Sequence, residues 1–293
     1  MKYRIKVLSI LLLLVSIAVS QLQFVKELKP IPVHEDVQFC SITASKFGDI
    51  YLLEKKRHEI YRLDWTGKVL NINGGFGWEE GCFDTPIDLS IGSGLDVIVA
   101  DYNNHRLVRF DRFLNFLTVF TFSDEETEIS YPVSVAASKL GEIFILDEES
   151  DEVIRFDMQK NEVSKFGGAE YGEYTLFEPF HIRISKNDVI TVLEKNGRLV
   201  QFDRFGTPIR EILPPEDIEA NGLVLINENF LILSQSEPKL LLYSNKLSEW
   251  FFPIIIGYEI NTSFISGIVI KDSLLLLNES GAIAVCNFES LDY

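Results

Sequence analysis

Four polar side chains, Ser41, Asp88, Ser134 and His181, recur at intervals of 46 or 47 residues, each at the start of an apolar segment. Repeated units place equivalent positions at one level, so these side chains are expected to line a central channel. A catalytic metal ion needs about three protein ligands at one point. Only Asp88 and His181 are strong ligands, so the sequence favours hydrogen bonding over a metal site. It predicts no cofactor, with a divalent cation held by Asp88 and His181 as the alternative.

A second set of candidate residues lies in the loops, where aromatic side chains stand beside carboxylates. Such rings supply contact area at a low entropic cost and suit sugars, peptides and cations. The aromatic residues expected on this surface are Phe76, Trp78, Tyr102, Tyr131, Tyr171 and Tyr174. Nearby acidic runs include Asp124-Glu125-Glu126 and Asp147-Glu148-Glu149. Two interpretations stay open: the rings bind a partner, or they pack the loops onto neighbouring units.

The positions of both sets follow from an internal repeat. A strand-like segment ends in a recurring pair of residues six times, at intervals of 41 to 47 residues. The six pairs are Leu63-Asp64, Phe110-Asp111, Phe156-Asp157, Phe202-Asp203, Tyr243-Ser244 and Cys286-Asn287. Apolar strands joined by a polar turn precede each pair. Six such units predict an all-β fold, a six-bladed β-propeller of four-stranded antiparallel blades.

The two ends of the sequence supply a check on this architecture. The sixth unit stops near Tyr293, which leaves no room for its fourth strand, whereas residues 22–28 form an alternating apolar segment before the first unit. This segment is predicted to pair onto the last blade and close the ring. Residues 21–293 are therefore predicted to form a single domain, with Gly222 and Gly267 at the channel positions of the last two blades.

The second unit resembles the NHL repeat. The matching residues are Pro86-Ile87-Asp88, the strand at residues 97–100, Asp101, Asn104-His105-Arg106 and Phe110-Asp111. The strongest match lies within residues 83–120, and weaker matches extend over about residues 40–205. The resemblance implies a six-bladed propeller that most often serves as a binding platform.

Six-bladed propellers also include enzymes, such as amidating lyases and gluconolactonase-like hydrolases. Lyases of that class place several histidines around a zinc ion, and here only His181 stands at a channel position. His34 lies near the amino terminus, and His58 and His105 lie in predicted turns. The favoured function is therefore a non-catalytic propeller that binds a protein, peptide or carbohydrate. A divalent-metal-dependent hydrolase or lyase is the alternative.

The first 20 residues are typical of a secretory signal peptide. Lys2, Arg4 and Lys6 precede an apolar segment at residues 7–19, and small residues precede the expected cleavage before Gln21. The apolar segment is shorter than the roughly 20 residues that span a bilayer. We expect export to the periplasm or the extracellular space, without membrane insertion after cleavage. Cleavage removes three cations from a chain with a net charge of −17, and such an acidic protein is a poor partner for nucleic acid.

Three cysteines, Cys40, Cys82 and Cys286, allow one disulfide at most. Cys40 and Cys82 both precede inner strands of adjacent blades, so they are the pair that an oxidising compartment could join. Cys286 aligns with Phe110 and is predicted to lie in the core. The protein is expected to be a monomer.

Overall fold

The structure is a computed structural model that describes residues 21–29, 37–121, 129–157, 162–237 and 239–288. Within these ranges the strands form six sheets, and each sheet is one blade of a propeller. The predicted leader at residues 1–20, His34 and the acidic run Asp124-Glu125-Glu126 lie outside the described residues.

Blades one to five each consist of four consecutive antiparallel strands. Blade one contains β2 (Phe39–Ala44), β3 (Ile50–Glu54), β4 (Glu59–Leu63) and β5 (Val69–Gly74). Blade two contains β6 (Pro86–Ile91), β7 (Val97–Asp101), β8 (Arg106–Phe110) and β9 (Phe116–Thr121). Blade three contains β10 (Pro132–Ala137), β11 (Glu142–Asp147), β12 (Glu152–Asp157) and β13 (Glu162–Phe166). Blade four contains β14 (Pro179–Ile184), β15 (Ile190–Glu194), β16 (Leu199–Phe202) and β17 (Pro208–Ile212). Blade five contains β18 (Ala220–Ile226), β19 (Asn229–Ser234), β20 (Leu240–Ser244) and β21 (Glu249–Phe251).

Blade six combines strands from both ends of the described chain. Its strands are β23 (Phe264–Ile270), β24 (Ser273–Asn278), β25 (Ile283–Asn287), β1 (Gln21–Leu28) and β22 (Ile254–Ile256). Because β1 pairs antiparallel with β25, with Leu28 opposite Ile283, the predicted closure of the ring is confirmed. The parallel pairing of β22 with β1 was not predicted, since a three-residue apolar segment shows no strand periodicity.

Packing between blades explains why the second strand of each blade is apolar on both faces. All five residues of β3 are buried, and so are all five of β7. Alternate side chains contact the preceding and the following blade. Buried side chains form six clusters, one between each pair of neighbouring blades. Leu22 and Leu28 of β1 belong to the two clusters on either side of blade six, so both clusters depend on closure.

Each inner strand contains a β-bulge at its second residue. In blade two, Pro86 lies opposite Asp101 and Asp88 lies opposite Ala100, so Ile87 has no partner of its own. The same shift occurs in the inner strands of the other blades. A bulge turns a residue out of the regular alternation of a strand. Here the bulge decides which side chains reach the upper end of the channel.

The turns and loops define two faces of the propeller. The upper face consists of the loops between blades and the turns between second and third strands. The lower face consists of the turns between first and second strands and between third and fourth strands. The upper turns place His58, His105 and Asp151 at positive φ values of 60°, 53° and 54°, which explains the polar turn residues of the repeat. Within the described ranges, no helix is long and apolar enough to span a bilayer.

Candidate functional site

The upper end of the channel opens into a funnel of about 700 Å³. The six bulged residues form its inner wall, and most of them are apolar. They are Cys40, Ile87, Val133, Phe180, Asn221 and Ile265. His181 also lines the funnel. Concave and largely apolar cavities that contain a few polar groups are typical ligand sites, so the funnel is the candidate functional site.

A ring of polar residues surrounds the mouth of the funnel, and each directly follows the second strand of its blade. The ring residues that line the funnel are Lys55, Tyr102, Glu148, Lys195 and Glu279. In blade five the equivalent residue is Gln235, whose side-chain amide donates to Asn221 Oδ1 at 2.8 Å. The two lysines belong to opposite blades, and so do the two glutamates. The mouth therefore presents both positive and negative side chains to a ligand.

Buried carboxylates hold this ring in position. Asp147 Oδ1 accepts hydrogen bonds from the backbone N–H groups of Ser130, at 2.8 Å, and Tyr131, at 2.7 Å. Its Oδ2 accepts a hydrogen bond from the backbone N–H of Ser150 at 3.1 Å. One carboxylate thus joins the upper turn to the loop between blades. The acidic run 147–149 therefore divides into a buried structural carboxylate and exposed residues, of which Glu148 reaches the funnel.

Below the funnel, Asp88 connects four blades. Its Oδ1 accepts a hydrogen bond from Ser41 Oγ at 2.8 Å, and its Oδ2 accepts from Ser134 Oγ at 2.5 Å. Arg183 Nη1 lies 3.2 Å from Oδ2. Burial alone would raise the pKa of Asp88, but the charge of Arg183 and the two hydroxyl hydrogen bonds outweigh burial, so the pKa is lowered. Asp88 therefore stays ionised and fastens neighbouring blades together.

His181 makes no hydrogen bond with this network, although it feels the charges of Arg183 and Asp88, and it is half-buried in the wall of the funnel. Burial and the charge of Arg183 lower the pKa of His181 to about 3, so its ring is neutral. Its Nδ1 is buried and has no hydrogen-bond partner among the described residues. In the part of the chain that the structure describes, no group of three or more His, Cys, Asp or Glu side chains is placed to hold a metal ion. Of the predicted channel residues, the structure joins Ser41, Asp88 and Ser134.

The channel position of blade six is Ser266, not Gly267 as the repeat spacing predicted. Ser266 follows the bulge and lies opposite Leu277, and its Oγ accepts a hydrogen bond from the backbone N–H of Ile42 at 3.2 Å. Gly267 instead lines the lower end of the channel. The prediction was wrong by one residue because the sequence does not place the bulge between Phe264 and Ser266.

Replacing Asp88 with alanine is expected to lower the free energy of unfolding by about 2 to 3 kcal/mol at neutral pH, because Arg183 keeps a charge without its partner. Since folding lowers the pKa of Asp88, its stabilising effect is present above the unfolded-state value of about 3.9 and is lost as the pH falls through the folded-state value. Urea unfolding should show that the difference in the free energy of unfolding between wild type and variant is smaller at about pH 3 than at neutral pH.

Ser90→Ala, on the same strand, is the control for Asp88→Ala and should change the free energy of unfolding by less than about 0.5 kcal/mol. An equal loss for Asp88→Ala at both pH values would contradict the role of the ionised carboxylate.

Four of the predicted aromatic residues lie on the upper face in two groups. Tyr102 and Tyr131 have ring centroids 4.9 Å apart, and the Tyr102 hydroxyl donates to Glu148 Oε2 at 2.5 Å. This group is part of the funnel mouth. Phe76 and Trp78 lie in the loop between blades one and two, where they are 72% and 60% exposed. Tyr102 lines the funnel and also packs against the core between blades three and four, whereas Phe76 and Trp78 are exposed to solvent.

The other two aromatic residues, Tyr171 and Tyr174, pack against the core between blades three and four. They belong to the 3-10 segment Ala169–Tyr174, and the centroid of the Tyr171 ring lies 6.0 Å from that of Phe202. Packing of the loop, which was the second interpretation of the aromatic set, accounts for the contacts of these two residues.

All three cysteines are free thiols in the structure. Cys40 Sγ lies 3.5 Å from the carbonyl oxygen of Leu53 and faces the funnel, so the pairing of Cys40 with Cys82 is not formed. Burial raises the pKa of Cys40 to about 12, which keeps its thiol protonated and unreactive. Cys286 is fully buried, as its alignment with Phe110 predicted.

Arg106, which the sequence marked only as part of the NHL-like motif, has a structural role of its own. It is 3% exposed and pairs through Nε with Asp101 Oδ2 at 2.8 Å. Its Nη1 donates to the carbonyl oxygen of Trp78 at 2.7 Å, and its Nη2 donates to that of Cys82 at 2.9 Å. The Trp78 ring lies over the guanidinium, 4.8 Å from its centre. Arg106 therefore holds the loop that presents Phe76 and Trp78.

Comparison with known proteins identifies the repeat that supplies this arginine. The family model described as NHL repeat matches residues 83–110. The chain contains an NHL repeat. The matched residues cover the first three strands of blade two, including the Asp101–Arg106 pair. In this NHL repeat, the aspartate and the arginine therefore fasten a loop of the upper face to the second and third strands.

Similar proteins agree with this architecture. The protein brain tumor of Drosophila melanogaster is 30% identical over 144 residues, which cover 47% of this chain and 13% of that protein. A virginiamycin B lyase structure from Staphylococcus aureus has a TM-score of 0.64 and 11% identity, covering 90% of this chain and 99% of that chain. The structure of U3-55K has a TM-score of 0.62 and 9% identity, covering 87% and 96%. At these identities the structural similarity shows the fold alone.

Proposed function

We propose that this NHL-repeat propeller is an exported, non-catalytic binding protein that recognises a segment of another protein or a peptide through the funnel. The observation that carries the proposal is the cavity of about 700 Å³, with its apolar wall of bulged residues and its polar mouth. An apolar side chain of the ligand would enter the funnel, where burial is favourable. The ring of charged residues would contact the ligand backbone and its polar side chains.

The composition of the mouth favours a peptide over a simple anion or cation. Lys55 and Lys195 are exposed, as are Glu148 and Glu279, so a ligand with one type of charge meets attraction and repulsion in equal numbers. A peptide backbone carries N–H donors, which suit the glutamates, and carbonyl acceptors, which suit the lysines. Tyr102 and Tyr131 add a rigid aromatic surface of the kind that dominates binding energy in protein interfaces.

The sequence of residues 1–20 supports export, because it has the charge and length of a secretory signal. We propose that the mature chain acts as a monomer in the periplasm or the extracellular space. All six blades contribute residues to the funnel, which supports binding by a single copy.

A displayed peptide library selected on immobilised residues 21–293 tests the proposal. Ile87→Arg places a charged side chain in the funnel and should weaken the selected peptides at least about tenfold. Ile91→Arg is the matched control, because Ile91 lies on the same strand, is also half-buried and lines the lower end of the channel. We expect the Ile91→Arg variant to bind the selected peptides with wild-type affinity, as measured by biolayer interferometry.

Four results would change the proposal. Equal losses in Ile87→Arg and Ile91→Arg, or no selected peptide, would overturn the funnel as the peptide site. Binding of arrayed glycans that is sensitive only to Ile87→Arg would replace peptide with carbohydrate as the ligand. A stoichiometric zinc or calcium ion that is lost in His181→Ala would favour a metal-dependent hydrolase or lyase instead.

A further inference from the structure

The turns of the lower face carry a repeated pair of residues, a cation followed by a large exposed apolar side chain. The five pairs are Lys46-Phe47, Arg112-Phe113, Lys139-Leu140, Arg204-Phe205 and Lys246-Leu247. The apolar members are 60%, 50%, 48%, 67% and 45% exposed, in that order. Single exposed apolar side chains are common, but these five lie on one face, and Phe47 and Phe113 both contact Arg112. Such a grouped set of exposed apolar side chains is typical of an interaction surface.

These pairs come from five different blades. Blades one and three contribute their turns between first and second strands, and blades two, four and five contribute their turns between third and fourth strands. Both kinds of turn belong to the lower face, so the tips project in one direction around a closed ring. Separate apolar tips around a ring can all contact a flat, deformable partner surface. A peptide would instead need a single groove on this protein.

The turns hold their tips outward by internal hydrogen bonds. Asp111 Oδ1 accepts from the backbone N–H of Phe113 at 2.7 Å, and Asp203 Oδ1 accepts from that of Phe205 at 2.8 Å. The carboxylates of these turns therefore point into the turn, while the apolar side chains point to solvent.

Two arginine side chains contact three of the exposed rings, and each arginine is itself paired with a carboxylate. Arg112 lies between Phe47 and Phe113, with 5.1 Å from its guanidinium to each ring centroid. It also pairs with Asp49 at 2.8 Å. Arg204 has the same arrangement in blade four, 5.0 Å from the Phe205 centroid and 2.8 Å from Glu142 Oε1. This support pre-organises the rings at the tips.

Among the fully exposed charges of the lower face, lysines outnumber carboxylates, although the chain as a whole carries −17. Asp64, Asp111, Asp188 and Asp203 are half-buried in the same turns. Its described turns carry the exposed lysines Lys46, Lys68, Lys139, Lys186, Lys246 and Lys271. The exposed carboxylates beside them are Glu228, Glu249 and Asp272. An acidic protein with cations on one face approaches an anionic surface with that face first.

We propose that the lower face docks on an anionic phospholipid surface. The Phe and Leu tips enter the interfacial layer, and the adjacent lysines contact lipid phosphates. The chain then lies on the membrane without spanning it, and the funnel on the upper face points away from the bilayer. Apolar tips flanked by cations supply both of the attractions that interfacial binding requires.

Vesicle sedimentation of residues 21–293 tests this proposal. The protein should sediment with vesicles that contain about 30% phosphatidylglycerol in phosphatidylcholine and not with pure phosphatidylcholine. The double variant Phe113→Ser with Phe205→Ser should lose at least about tenfold in apparent affinity, as should Lys46→Glu with Lys139→Glu. The control is Phe76→Ser with Trp78→Ser, which removes equally exposed rings from the upper face and should bind as the wild type does.

Thermal melts of each variant confirm that it is folded before it is scored. Absence of binding to the phosphatidylglycerol vesicles would overturn the proposal and leave the tips as a docking surface for an acidic protein. Equal losses in the upper-face and lower-face variants would also overturn it, because binding would then not depend on the lower face.

Discussion

Replacing Arg106 with alanine is expected to lower the free energy of unfolding by about 3 to 5 kcal/mol, because removal of one partner leaves the other as an uncompensated buried charge. Asp101 is fully buried, and burial raises its pKa despite the hydrogen bonds from Arg106 and Asn104. The variant also frees the carbonyl oxygens of Trp78 and Cys82. Urea unfolding should report the loss of stability, and limited proteolysis should show cleavage within residues 75–83.

The matched control is Arg109→Ala on the same strand. Arg109 pairs with Asp96 at 2.6 Å, and the arginine side chain is 29% exposed whereas that of Asp96 is 5% exposed. Water partly screens this pair and Arg109 holds no loop, so the expected loss is smaller, about 1 to 2 kcal/mol. Equal losses in the two variants would contradict the role of Arg106. So would a destabilised Arg106→Ala variant whose loop resists proteolysis, since the loop would then have another anchor.

The repeat made the architecture predictable from sequence. Segments such as residues 97–100 are apolar at every position because both faces of the second strand are buried, and that pattern returned six times. Closure by residues 22–28 was predictable for the same reason, since a blade with three strands exposes an unpaired edge. Both the strands and the closure of the ring can therefore be predicted from the spacing of apolar residues in the sequence.

The composition of the funnel was not predictable, because it depends on one bulge in each inner strand. Ile87 and Asp88 are adjacent in sequence, yet Ile87 lines the funnel and Asp88 joins the blades below it. A strand pattern with period two cannot place a bulge, so the bulged residues Val133, Phe180 and Asn221 were not recognised as wall residues. The same uncertainty of one residue placed Gly267 where the structure has Ser266.

Contacts between distant residues were also invisible to the sequence pattern. Arg106 reaches carbonyl groups 24 and 28 residues earlier in the chain, and only the fold brings them together. The outward pairs on the lower face, such as Arg112-Phe113, were not predicted, because exposure of the ring is a property of the folded turn.

Removing residues 21–28 is expected to abolish cooperative folding. Leu22 and Leu28 are each 4% exposed in different clusters between blades, and loss of both side chains alone costs about 5 kcal/mol or more, a large part of the stability of a typical domain. The deletion also exposes the edge of β25, which pairs with β1 from Leu28 to Gln23, so aggregation should follow. Size-exclusion chromatography and thermal melts would measure both effects.

Point variants in β1 keep the full chain length, so they test whether the destabilisation comes from the side chains of the strand. Leu28→Asp places a charge in the cluster between blades six and one and should reproduce most of the destabilisation. Val25→Asp is the control, because Val25 lies at the bulge of β1 and is 51% exposed. A synthetic peptide of residues 21–29 added to the truncated chain should restore a cooperative melt, since strand pairing and burial do not require covalent linkage. A truncated chain that melts as the wild type does without the peptide would show that the ring does not depend on β1.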